Sequence, residues 1–128
     1  MNVDKISCNS FGYSTQLSRL YKKGKLPTVK VGLYGRPLTK KTCSNEHIIP
    51  HSLGGKTDSS NIALADRDIN SRRGNDDIHN FLTVDLIKQY LLQFVDVVVD
   101  GFYGNKYISN LIKTFQTIGF DINNNILQ

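Results

Sequence analysis

The chain has no apolar run long enough to cross a membrane. Its opening, Met1-Asn2-Val3-Asp4-Lys5, is not the basic patch followed by an apolar stretch that marks a secretory leader. A cytoplasmic protein is therefore expected. Cysteine is scarce as well: Cys8 and Cys43 are the only two, with no Cys-x-x-Cys pair, which excludes a disulfide framework and a four-cysteine zinc site. A bridge between these two is disfavoured in a reducing compartment. Repeats and proline-rich tracts are missing too. What is left, 128 residues that are 39% hydrophobic and 21% charged, is the composition of one folded domain over residues 1–128.

Acid is nearly absent from the first third. Residues 1–42 hold nine bases (Lys5, Arg19, Lys22, Lys23, Lys25, Lys30, Arg36, Lys40, Lys41) against Asp4 alone, whereas the rest holds seven bases and ten acids, for a net charge of +5. A basic arm of this kind suits a polyanionic partner, because phosphate contacts supply most non-specific affinity. A solvated basic face without a partner is the plainer alternative. Tyr21 and Tyr34 lie within the arm and are the aromatic side chains best placed to stack on bases.

Ser14 or Thr15 can cap a short helix with Leu17, Leu20 and Tyr21 on one face, and Gly24 is placed to end it. Residues 28–34, after Pro27, alternate as a strand closed by the turn signals of Gly35, Arg36 and Pro37. Residues 43–49 read as extended and 54–60 as a loop. Residues 61–65 read as a short apolar strand, and a helix of about two turns, capped by Asp66, runs up to Gly74. Helical spacing follows in 83–95 and 106–118, and Tyr90, Phe94 and Phe115 are expected in the core. The valines of 96–101 fit a strand or an extension of the preceding helix. Asn123-Asn124-Asn125, with only Ile126 and Leu127 as anchors, suggests a frayed end. The class is α+β: a basic N-terminal helix/strand segment (1–42), a strand–strand–helix core (43–77) and a helical layer (78–128).

The chemistry concentrates at Glu46-His47-Ile48-Ile49-Pro50, Asn61 and Asn70-Ser71-Arg72-Arg73-Gly74-Asn75. His47 titrates near neutrality and can take a proton from water. Glu46, its neighbour on an extended segment, points to the opposite face, so the two serve different roles unless the strand twists. A carboxylate from Glu46 and an amide oxygen from Asn70 make the open, oxygen-rich site that magnesium prefers. Asn61 can bond backbone groups of the loop and hold it against the first strand. Arg72 and Arg73 offer paired donors to phosphate, as do Lys22, Lys23, Lys25, Lys40 and Lys41 from the arm. The pair Gly54-Gly55 permits positive dihedral angles in the loop. His51 can contact substrate or join the metal shell, but facing solvent or making a structural hydrogen bond is the favoured reading, and His79 is read as surface.

Over residues 43–77 the stretch resembles the HNH, or ββα-metal, nuclease family, through an acid–histidine pair, a proline three residues after the histidine, a glycine pair, Asn61 and Asn70 in order. The resemblance implies His47 as general base, Glu46 and Asn70 as ligands of one divalent cation, magnesium or else manganese, and Asn61 as the residue that orients the motif. It also implies hydrolysis of DNA to 5′-phosphate and 3′-hydroxyl ends, in a phage or mobile-element setting. The chain departs from the family in carrying Glu46 where aspartate is more frequent and Asn70 where histidine is. The latter is shared with phage homing endonucleases and the HNH domain of RNA-guided CRISPR effectors. The cysteine pairs that hold structural zinc in many members are missing, so no structural zinc is expected and packing must hold the fold. RNA cleavage, or a nucleic-acid-binding or inhibitory module that does not cut, are the alternatives. A double-strand cut would need a homodimer or two nicks.

Overall fold

The protein is described here over residues 17–127 of a computed structural model. Ser14, Thr15 and Cys8 lie outside the described residues. The first helix, α1 (residues 17–22), buries Leu17 and Leu20. It closes with Gly24 N–H on the Tyr21 carbonyl and Lys25 N–H on the Leu20 carbonyl, the paired bonds of a glycine-terminated helix.

The strand expected over 28–34 is replaced by a folded-back loop. Gly35 N–H reaches the Gly32 carbonyl and Gly32 N–H the Arg36 carbonyl, so the chain reverses and only Val31 and Pro37 form a bridge. Three of the backbone groups left open are taken by one side chain. Gln93 Oε1 accepts from Lys30 N and Val31 N, and Gln93 Nε2 donates to the Val31 carbonyl.

Strands β1 (Cys43–His47) and β2 (Ile62–Asp66) pair antiparallel, from Cys43 opposite Asp66 to His47 opposite Ile62. Helix α2 (Arg67–Arg73) follows directly, capped by the Asp66 carboxylate on Asp68 N and Ile69 N and ended at Gly74. Ile62 to Ala65 are fully buried. The β2 edge away from β1 has no strand beside it, yet three of its polar groups find partners. Leu64 N donates to Tyr90 Oη, Tyr107 Oη donates to the Ile62 carbonyl, and Leu33 N donates to the Leu64 carbonyl. The two phenols also bond each other at 2.8 Å.

Those tyrosines come from α3 (Val84–Leu92), capped by Thr83, and α4 (Gly104–Thr117). Between the helices the open question over 96–101 resolves as a two-residue hairpin, β3 (Val98–Val99) with β4 (Phe102–Tyr103). Asp100 and Gly101 turn it, both with positive φ (48° and 82°), as a tight hairpin turn requires. Tyr90, Phe94 and Phe115 are core residues, in one hydrophobic cluster that runs from Leu17 to Ile122. The backbone of Asn124–Leu127 makes a 3-10 turn, and the side chains of Ile126 and Leu127 lie outside the described residues. Small antiparallel sheets with helices make this an α+β arrangement. Among the described residues no helix is long and apolar enough to cross a membrane.

Candidate active site

Strand β1 is the frame, because its pleat sends Ser44 and Glu46 to one face and His47 to the other. Helix α2 lies against the first face, and residues three apart on a helix share a side. Asn70 and Arg73 are such a pair. Asn70 Nδ2 donates to Ser44 Oγ and to the Asn45 carbonyl, each at 3.0 Å. One turn later Arg73 Nη1 donates to Glu46 Oε2 at 3.1 Å.

Glu46 is therefore not an open carboxylate. It is 4% exposed, and Oε2 accepts from both Arg73 and the hydroxyl of Tyr34. Tyr34, expected to stack on bases, is instead buried by the reversed loop. Burial, before the nearby Glu46 charge, pushes its phenol far above the ordinary tyrosine range. No pattern in the sequence links positions 34 and 46; the contact arises from the turn at 32–36.

Arg73 also departs from expectation. It is 3% exposed and donates to the carbonyls of His47 and Ile48 and, through Nε, of Asp76. The carbonyls of His47 and Ile48 lie at and just beyond the end of the β1–β2 ladder, and that of Asp76 lies past the end of α2, so the guanidinium closes backbone that no strand reaches. Its donors are thus turned to protein groups rather than to solvent. Arg72 sits about 200° round the helix from Asn70, exposed and paired with Asp68 at 3.2 Å. Lys22, Lys23, Lys40 and Lys41 are exposed, as expected of a basic arm, and Lys25 is bound to Asp100 at 3.0 Å.

On the other face the His47 ring is half-buried, with Nε2 3.0 Å from Thr57 Oγ1 and the exposed His51 ring edge-on at 6.2 Å. Burial lowers its pKa below the ordinary 6.5; Glu46 works against this shift and His51 adds to it. Burial thus favours the neutral form of the imidazole. Thr57 was not among the expected site residues, and only its place in the loop after Gly55 hinted at it. His79 is exposed, bonds Asp77 Oδ1 at 2.8 Å and stacks on Phe120.

Asn61 does what its position suggested. Oδ1 accepts from Ile49 N at 2.7 Å, and Nδ2 donates to the carbonyls of Ile49 and Lys56, each at 2.9 Å. The loop after His47 is thereby pinned at both ends. The two glycines differ in purpose. Gly54 has φ +91° in open space, whereas a Cβ on Gly55 would stand 1.7 Å from the Ile49 carbonyl oxygen and 2.7 Å from Asn61 Nδ2. Gly55 is needed for close approach rather than for its dihedral angles.

For a divalent cation the donors are few but of the right kind. Among the described residues there is no cluster of three or more His, Cys, Asp or Glu, but magnesium needs only one or two protein oxygens beside water and phosphate. With Asn70 Nδ2 committed to the strand, Oδ1 is the atom it offers; with Glu46 Oε2 taken twice, Oε1 is its counterpart. Hard oxygen donors fit the ion, while the Arg73 charge beside Glu46 weakens the attraction. Cys43, at the start of β1, is a buried free thiol with its pKa pushed up to about 11 by burial. No protein-family model, curated protein or solved structure matches this chain.

Proposed function

We propose that the protein is a metal-dependent endonuclease of the HNH, or ββα-metal, type acting on DNA. The observation that carries the reading is the end of β1, where an imidazole on one face adjoins a carboxylate and a helix amide on the other, with the loop after His47 clamped by Asn61. Hydrolysing a phosphodiester requires a proton acceptor for water and a fixed geometry around the phosphate.

In this reading Thr57 accepts the Nε2 proton of His47, which leaves the lone pair on Nδ1 to take a proton from the attacking water. Glu46 and Asn70 would hold a magnesium ion, whose charge stabilises the phosphate oxygens and the departing 3′ oxygen. Arg73 and Tyr34 then act on Glu46, by fixing Oε2. The lysines at 22, 23, 40 and 41 supply sequence-independent affinity for the backbone, with Arg72 at the outer face of α2.

Supercoiled plasmid with magnesium or manganese tests this. Nicked or linear product that disappears with a chelator supports the nuclease. A salt-sensitive complex without cutting supports instead a binding module that keeps the scaffold. Parallel RNA substrate decides between the two nucleic acids, since nothing in the cation site reads the sugar.

A further inference from the structure

Helix α4 holds a surface that the site described above does not use. Lys106, Asn110, Lys113 and Thr117 fall at spacings of three and four and form one stripe along it, and the fourteen residues Gly104–Thr117 contain no Asp or Glu. Lys106, Asn110 and Thr117 of this stripe border the loop of residues 54–60, the loop whose Thr57 holds His47, and Lys113 is exposed between them. Ser59 meets Tyr103, Lys106 and Asn110 across a small hollow, and Gly54, Lys56 and Ser60 meet Thr114 and Thr117 across a hollow of about 380 Å³. The two hollows adjoin where Thr114 Oγ1 donates to the Ser60 carbonyl and ties helix to loop.

At the head of the stripe stands Tyr103, 56% exposed, with Val98 directly across the hairpin and also exposed. A phenol ring beside an aliphatic side chain, flanked by lysine, is an apolar platform set in a positive rim. Asp58, the acid of the facing loop, has Oδ1 engaged by Ser60 N and Ser60 Oγ within the loop. A seam with cationic side chains at intervals, polar walls and one open ring matches the alternation of phosphate and base along a nucleic-acid strand.

We propose that this seam is a binding track for a single strand of nucleic acid, with a base stacked on Tyr103 and phosphates held by Lys106, Lys113 and Lys56. The track rests on the nuclease reading for its purpose, namely holding the strand on the far side of the His47 loop, but its binding needs neither the base nor the cation.

The test is anisotropy of a labelled oligonucleotide with the full chain at low salt, in chelator so that nothing is cut, using deoxy- and ribo-oligonucleotides of one sequence. Tyr103→Ala lowers affinity about 5- to 150-fold, the worth of one stacked base, whereas Tyr103→Phe keeps the wild-type value. The double variant Lys106→Gln/Lys113→Gln lowers the slope of log affinity against log salt by about 1.4, the value for two phosphates on a single strand. A loss with either sugar supports the track. Unchanged affinity in Tyr103→Ala, or an unchanged salt slope in the lysine variant, overturns it. Cutting of plasmid alongside unchanged affinity in Tyr103→Ala would remove the track and leave the nuclease; weakened binding in a protein that never cuts would do the reverse.

Discussion

The guanidinium of Arg73 meets the carboxylate of Glu46 at 3.1 Å, with both side chains almost closed to solvent. Arg73→Ala would strand a buried charge together with the carbonyls of His47, Ile48 and Asp76. We expect a loss of about 3–5 kcal/mol, the usual consequence of removing one partner of a buried pair. Arg73→Lys should recover only part of it, because an ammonium cannot span those acceptors as a planar fork does. Denaturant titration measures both, and a wild-type midpoint for the alanine variant would show the pair to be idle.

The reaction proposed for His47 predicts a separation between binding and cutting. His47→Ala should cut DNA roughly 10²- to 10⁴-fold more slowly, the range for a lost general base, while its complex with DNA in chelator stays as tight as wild type. Comparing single-turnover rates with binding constants tests this. Undiminished cutting would assign the base elsewhere.

Adjacent glycines should respond differently to the same substitution. Gly54→Ala must only tolerate a left-handed backbone in open space, a cost of about 1–2 kcal/mol. Gly55→Ala places a methyl group against the Ile49 carbonyl and the Asn61 amide, so the loop has to shift and the clamp opens. Thermal melts should rank the second as the more damaging, and its plasmid nicking should fall further than its stability explains.

Alkaline pH should destabilise the fold through three phenols. Tyr34, Tyr90 and Tyr107 all have pKa values raised above the ordinary 10.0, chiefly by burial. The native chain thus keeps these protons where the unfolded chain gives them up. Their contribution to stability is full below pH 10 and is lost as pH rises from there toward the native values. Unfolding free energy measured across that window should fall, and tyrosinate absorbance should rise together with the loss of structure. Stability independent of pH there would contradict the packing of these side chains.

Much of the local structure could be read from the residues that carry it. Asp66 caps α2, Gly74 ends it, and Asn61 clamps the loop, each through short-range bonding that follows from residue type and neighbours. The apolar spacing of α3 and α4 likewise marked Tyr90, Phe94 and Phe115 as core. What escaped was long-range. The reversal at 32–36 turns an alternating pattern into a loop because Gln93, some sixty positions away, supplies the partners a neighbouring strand would have given. The inward turn of Arg73 depends on the end of a strand pair that no residue type announces. Tyr34 and Thr57 gained their places through tertiary contacts alone, and Arg72 and Arg73, identical in composition, part company only through the helix angle between them.

The phenols of Tyr90 and Tyr107 along β2 have a consequence for assembly. An uncovered strand margin is an invitation to another polypeptide, and here it is occupied by two phenol hydroxyls and the backbone N–H of Leu33. Two copies cannot therefore merge their sheets through this side of β2. On the nuclease reading proposed above, a pair of copies able to cleave both strands of a duplex would have to meet through some other surface.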